Sequence, residues 1–96
     1  MKTNPNLTRV QLINEADDRV QAAELLVERG RLRDAVDLLD QAATLYRWAE
    51  ISGLARRAFL RLAHLAEVGG DGGRAAVARR QAANLQIYDF KQGENQ

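Results

Sequence analysis

Apolar residues recur at three- and four-residue steps along most of the chain, the spacing that is typical of amphipathic helices. In the first such segment they form one stripe: Val10, Ile13, Ala16, Val20, Ala23 and Val27. Gly30 follows the stripe and is expected to end this helix as a left-handed cap. Thr8 and Gln11 have the spacing of a capping box at its start, with Leu7 and Leu12 as a hydrophobic staple.

Breaks in the pattern divide the chain into four predicted helices, near residues 8–29, 32–49, 53–68 and 74–90. Asn4-Pro5 is an alternative, earlier start for the first helix. Ser52 is a candidate N-cap for the third helix, and residues 69–73 (GGDGG) are predicted to form a turn. The inner face of the fourth helix is rich in alanine. Because the connections are short, successive helices are expected to be antiparallel.

The predicted fold class is all-α, in a single domain over residues 1–96. Its ordered core is expected to span about residues 7–90, with tails at 1–6 and 91–96. Two arrangements satisfy the pattern: two stacked helical hairpins, or a small four-helix bundle.

The chain is similar to itself after a shift of 40 residues. The shift places residues 41–45 (QAATL) on residues 81–85 (QAANL), and Gly30 on Gly70. A repeat period of about 20–50 residues is the signature of stacked helical repeats. The pattern therefore favours two equivalent hairpins in series.

On these residues the sequence resembles the tetratricopeptide family of helical hairpins, over about residues 16–88. The residues that carry the resemblance are Ala23, Gly30, Arg31, Leu32, Ala35, Leu39 and Ala42, followed by Phe59, Ala63, Ala75 and Ala82. The resemblance implies that small residues let the helices cross closely, and that the stacked hairpins form a concave groove that holds peptides. The chain departs from the family in a repeat longer than about 34 residues. Arg19 also replaces the family's usual large aromatic residue and Arg79 a bulky apolar one, and Arg47 and Ile87 replace the usual proline.

Catalytic and metal-binding residues are not expected. The chain has no cysteine and one histidine, which excludes disulfides, thiolate ligands and a two-histidine zinc site. The glycine-rich turn lacks the Gly-Lys-Ser/Thr of a phosphate loop. His64 is predicted to lie on the polar side of the third helix without a nucleophile nearby. We therefore expect a protein that is not an enzyme and carries no metal or cofactor.

Charge is divided unevenly along the chain. Residues 1–50 carry seven Arg/Lys and nine Asp/Glu, a balance of −2, whereas residues 51–96 carry seven and four, a balance of +3. Such asymmetry can orient a dimer or guide a charged partner. The basic second half also supports an alternative function, nucleic-acid binding through phosphate contacts. Its candidate residues are Arg56, Arg57, Arg61, Arg74, Arg79 and Arg80.

A membrane partner is not expected, because no apolar stretch approaches the roughly 20 residues of a membrane span. The first six residues, MKTNPN, lack the apolar segment of a signal peptide. The expected location is therefore the cytoplasm.

Two apolar residues lie where polar ones would be expected, and they point to a binding surface. Leu60 is flanked by charged residues on the third helix, and Trp48 projects from the polar side of the second. Trp48 either contacts a partner or, if its helix ends early, folds over the core. The predicted partner-binding residues are Val20, Glu24, Val27, Trp48, Arg57, Leu60, His64 and Glu67. We expect a protein-interaction module that self-associates, most simply as a homodimer, or binds a peptide or helical segment of a partner.

Overall fold

The chain forms four α-helices, as the sequence predicts. A computed structural model describes the backbone of residues 5–94 and the side chains of residues 8–85. The helices are α1 (Pro5–Glu28), α2 (Leu32–Trp48), α3 (Ser52–Val68) and α4 (Gly72–Glu94). Over the described backbone there is no β-strand. The prediction of an all-α fold is confirmed, and each helix end lies within four residues of its predicted position.

The helices extend into segments that were expected to be tails. α1 begins at Pro5, and α4 continues to Glu94. Proline is favoured in the first helical turn because its missing N–H has no intrahelical acceptor there. The capping-box prediction is therefore wrong, since Thr8 lies inside α1 and cannot cap it. The Leu7 side chain of the predicted staple lies outside the described residues, as do residues 1–4 and 95–96.

Three turns of the same type join the four helices, at Gly30, Glu50 and Gly70. Each has a positive φ, of 76°, 62° and 88° respectively. In each, two backbone N–H groups bond back to the end of the preceding helix, as in Arg31 N to Leu26 O at 2.9 Å and Gly30 N to Val27 O at 2.9 Å. This is the Schellman motif. The turns recur every 20 residues, so helix and turn repeat together.

The starts of the two later helices differ from the predictions. Ser52 is not the N-cap of α3, because Ile51 occupies that position and makes no capping side-chain bond. The break in the chain comes from Glu50 instead. At α4 the side chain of Asp71 accepts a hydrogen bond from the Arg74 N–H at 3.0 Å, which is the bond an N-cap residue makes. Gly72 and Gly73 are consequently helical rather than part of the turn.

Extensive packing follows chain order: α1 on α2, α2 on α3, and α3 on α4. Side-chain bonds also join alternate helices, from Glu24 of α1 to Arg61 of α3 and from Asp37 of α2 to Arg74 of α4. The result is flat, with extents of 39 × 34 × 19 Å. The helices therefore form a serial array in which α1 and α3 lie side by side, as do α2 and α4.

The core is built mainly from alanine. Among residues 8–85, thirteen of the nineteen buried hydrophobic residues are alanines, and the large ones are Val36, Leu39, Tyr46, Phe59, Leu62 and Leu65. Ala75, Ala78 and Ala82 form the inner face of α4, as predicted. The prediction that Val10 belongs to the inward stripe is wrong, because this residue is exposed. Small side chains let the helix axes approach closely, which keeps a two-layer array thin.

Candidate protein-binding groove

A groove of about 570 Å³ runs between α1 and α3, with α2 as its floor. α1 contributes Val20 and Glu24, and the floor consists of Leu39 and Tyr46. The α3 wall is formed by Leu54, Arg57, Ala58, Leu60 and Arg61. The lining is thus an apolar floor and wall with a few charged groups. Such a composition is typical of a binding site, where apolar area supplies affinity and polar groups fix orientation.

An ion pair bridges the two walls of the groove. Arg61 donates from Nε to Glu24 Oε2 at 2.8 Å and from Nη2 to Glu24 Oε1 at 2.7 Å. The hydrogen bond from Arg61 lowers the pKa of Glu24, and the same bond raises the pKa of Arg61. Both side chains are about 40% exposed, so solvent screens much of this attraction. The pair therefore contributes little to the free energy of unfolding, but its two hydrogen bonds hold α1 and α3 at a fixed spacing.

A second polar contact joins the floor of the groove to α1. The Tyr46 hydroxyl donates to Asp17 Oδ1, although Tyr46 as a whole is buried. Burial, first, and the hydrogen bond to Asp17 raise the pKa of the Tyr46 phenol, while the charge of Arg57 lowers it. Tyr46 therefore remains a neutral hydrogen-bond donor, and its aromatic ring forms part of the apolar floor.

The structure brings four of the eight predicted binding residues together in this groove: Val20, Glu24, Arg57 and Leu60. Leu60 is 48% exposed, a high value for a leucine in mid-helix. The other four lie elsewhere. Val27 packs against the core, and His64 is exposed on α3 outside the groove lining. Glu67, seven positions after Leu60 on α3, lies outside the groove lining and pairs with Arg79 of α4.

Trp48 lies apart from the groove, in a second depression between α1 and α2. The depression has a volume of about 270 Å³ and is lined by Arg19, Asp40, Gln41, Thr44, Leu45 and Trp48. α2 extends to Trp48 itself, and the indole is 68% exposed. The alternative in which Trp48 folds over the core is therefore wrong. Arg19 holds the α1 side of the depression by donating from Nε to Gln41 Oε1 at 2.9 Å.

Sequence reasoning missed five residues of the groove: Leu39, Tyr46, Leu54, Ala58 and Arg61. The helical pattern assigns the first four to the core. Leu39, Tyr46 and Ala58 are indeed buried, and each also presents atoms to the groove. The sequence-based prediction assigns Arg61 to the basic surface. Its pairing with Glu24 depends on the register of α1 against α3, and no short-range pattern in the sequence reports that register.

Three of the six arginines in the basic surface predicted for the second half of the chain pair with carboxylates. Arg61 pairs with Glu24, Arg74 with Asp37 at 2.9 Å, and Arg79 with Glu67. Within the part of the chain that the structure describes, no cluster of acidic or histidine side chains is arranged to hold a metal ion. None of the described helices has the length and apolarity required to cross a bilayer.

Comparison with known proteins finds no matching family model, no matching curated protein and no matching solved structure. The groove and its residues are therefore the basis for any functional assignment.

Proposed function

We propose that this protein is a non-enzymatic interaction module whose α1–α3 groove receives a peptide or helical segment of a partner protein. The observation that carries the proposal is the groove itself, in which Leu60 is half exposed above an apolar floor. A monomer in water gains nothing from this exposure. Burial of a leucine side chain by a ligand contributes about 1.5–3 kcal/mol before ordering costs.

The polar groups of the groove support a binding role rather than a catalytic one. Glu24 and Arg61 satisfy each other, and Tyr46 is satisfied by Asp17. A general acid or base requires a proton-transfer group aimed at a reacting atom, whereas these groups are engaged in holding helices together. Arg57 at the groove rim is the charged group best placed to orient a ligand.

The groove is concave, so its occupant must present a convex element such as one helix or an extended segment. This requirement favours a partner segment over the matching concave surface of a second copy. The same site is consistent with the tetratricopeptide resemblance and with the expected cytoplasmic location. Nucleic-acid binding is the weaker alternative, because Arg61, Arg74 and Arg79 already pair with carboxylates.

The proposal is tested by selecting ligands from a displayed library of random peptides about 20 residues long, enough for a helix of about 30 Å, then measuring their affinity by fluorescence anisotropy. Leu60→Glu should abolish binding, because it places a charge over the apolar floor. Val68→Glu is the matched control, since Val68 is exposed on the same helix but lies outside the groove. Ligands that bind both variants equally, or a selection that yields none, would refute the groove assignment.

A further inference from the structure

The second hairpin repeats the first in structure as well as in sequence. A shift of 40 residues places the start of α2, Leu32, on the start of α4, Gly72, and the end of α1, Glu28, on the end of α3, Val68. The turns at Gly30 and Gly70 have the same left-handed conformation. Positions 12–48 of the first hairpin therefore have equivalents at positions 52–88 of the second, and the equivalence extends to the surfaces between them.

Within the chain, the second hairpin (α3 and α4) provides a docking surface for α2. α2 packs against α3, and Arg74 of α4 binds Asp37 at 2.9 Å and Asp40 at 3.6 Å. The equivalent docking surface on the first hairpin lies between α1 and α2, where no described residue covers the depression around Trp48. Among the described residues, this position is therefore free, whereas α2 fills the equivalent position inside the array.

We propose that the α4 helix of a second copy of this chain occupies that position, so that copies join head to tail. The head face is the depression and the stripe along α2 that leads from it: Asp34, Gln41, Leu45 and Trp48. These residues share one side of α2 because the last three follow Asp34 by 7, 11 and 14 positions. The tail face is the exposed side of α4, formed by Ala76, Val77, Arg80 and Ala83.

Charge complementarity identifies the occupant. The internal joint uses Arg74 on α4 and Asp40 on α2. A 40-residue shift converts Arg74 into Asp34 and Asp40 into Arg80, so the same joint between copies has its charges exchanged and remains an opposite pair. Arg80 forms no ion pair with any side chain that the structure describes. Asp34 pairs only with its exposed neighbour Arg31, through Oδ2.

The apolar parts of the two faces also match. Trp48 is large and exposed on the head face, while the tail face offers Val77, 52% exposed, between small alanines. The net charges of the two halves are also complementary: the first half of the chain, which carries the head face, has −2, and the second, which carries the tail face, has +3. Arg19 stands where the internal joint has the buried Phe59, so the joint between copies is less apolar than the internal one. We therefore expect reversible association rather than a permanent oligomer.

Sedimentation velocity over a concentration series tests the proposal. The wild type should form a ladder of species beyond the dimer, because a head-to-tail contact does not close on itself. Raising the salt concentration should weaken this association. Asp34→Arg and Arg80→Asp should each weaken it about tenfold or more, since each creates a like-charge contact. Arg47→Asp is the control with the same change in net charge as Arg80→Asp, at an exposed α2 position outside the head-face stripe.

Mixing the two charge variants gives the decisive result. In the mixture the arginine introduced by Asp34→Arg on one chain faces the aspartate introduced by Arg80→Asp on the other. The native pair forms at the alternate joints, so association should return. This recovery also shows that both variants are folded. A mixture no more associated than its components, or a wild type that is monomeric throughout the series, would overturn the proposal.

A second pair of variants tests the apolar contact independently. Trp48→Glu removes the head and Val77→Glu removes the tail, so each should be monomeric alone. Together they should form a 1:1 dimer that cannot extend. A wild type that forms a closed dimer, unaffected by Trp48→Glu but lost in Leu60→Glu, would place self-association in the groove and overturn the head-to-tail arrangement.

Discussion

Replacement of Glu50 by glycine should stabilise the fold. Glu50 occupies the same turn position as Gly30 and Gly70, but at φ 62° it is the only non-glycine residue with positive φ in the described backbone. A left-handed conformation costs an L residue about 1–2 kcal/mol. Glycine avoids that cost but loses about 0.5–1 kcal/mol more conformational entropy on folding. The midpoints of the two ranges predict a net gain of about 0.75 kcal/mol from the backbone alone, and removal of the charge adds to it.

The measurement is thermal and urea unfolding followed by circular dichroism. For a domain of this size the gain corresponds to a rise in Tm of about 2–8 °C. The capping bond from the Glu50 N–H to the Arg47 carbonyl, at 2.9 Å, remains available to glycine. Glu50→Gln is the control that removes the unfavourable charge at the C-terminus of α2 while retaining the backbone strain. It should gain no more than about 0.3–1 kcal/mol.

Two glycine substitutions supply matched controls of opposite sign. No atom lies within 4 Å of an added Cβ at Gly30 or Gly53, so neither change introduces a clash. Gly30→Ala should destabilise the fold, because φ 76° is retained. Gly53→Ala, in the first turn of α3, should stabilise it by at most about 0.5–1 kcal/mol. The reasoning is refuted if Glu50→Gly is no more stable than Glu50→Gln.

Two substitutions test the polar contacts of the groove, and one binding assay tests the nucleic-acid alternative. Tyr46→Phe should lower the free energy of unfolding by about 1 kcal/mol. Because burial and Asp17 raise the Tyr46 pKa above its ordinary 10.0, wild-type stability should fall as the pH rises past that value. In urea unfolding, Tyr46→Phe should remove this alkaline dependence. Glu24→Gln should remove less than about 1 kcal/mol. Because the hydrogen bond from Arg61 lowers the Glu24 pKa from 4.5, this contribution should be present above that pH and should be lost as the pH falls through the lowered pKa. A loss that does not change with pH would contradict it. In filter binding at low salt we expect no retention of nucleic acid; retention that falls steeply with salt and with the Arg56→Ala/Arg79→Ala double variant would instead revive the nucleic-acid alternative.

The helices were predictable because their signals are local. The apolar periodicity identified all four, and Gly30 and Gly70 marked two of the three turns correctly. The third turn was harder, because Glu50 adopts a left-handed conformation that its side chain does not favour. The adjacent Ser52-Gly53 carried the more conventional signal, and the predicted cap was placed there. The cap at Asp71 was not predicted, because residues 69–73 were assigned to a turn and capping depends on where α4 begins.

The binding groove was only partly predictable. Leu60 and Val20 were identified because an apolar residue among charged ones is visible in a helical projection. Tyr46 and Arg61 were assigned elsewhere, because their roles depend on which helices face each other across 29 and 37 residues of sequence. Trp48 was correctly assigned to the polar side of α2. Trp48 and Leu60 are separated because they lie on different sides of α1. The depression around Trp48 lies between α1 and α2, whereas the groove around Leu60 lies between α1 and α3.

Packing in chain order also determines which helices unfold first and how fast the chain folds. The inner helices α2 and α3 each have two extensive neighbours, whereas α1 and α4 have one each in the described part of the chain. Linear arrays of this kind lose structure from their ends, since a terminal unit can detach without disturbing the joint at the centre. Backbone amides of Leu39 and Phe59, the largest fully buried residues, should therefore exchange with solvent most slowly. Contacts between neighbours close short loops, so folding should be complete in microseconds to milliseconds.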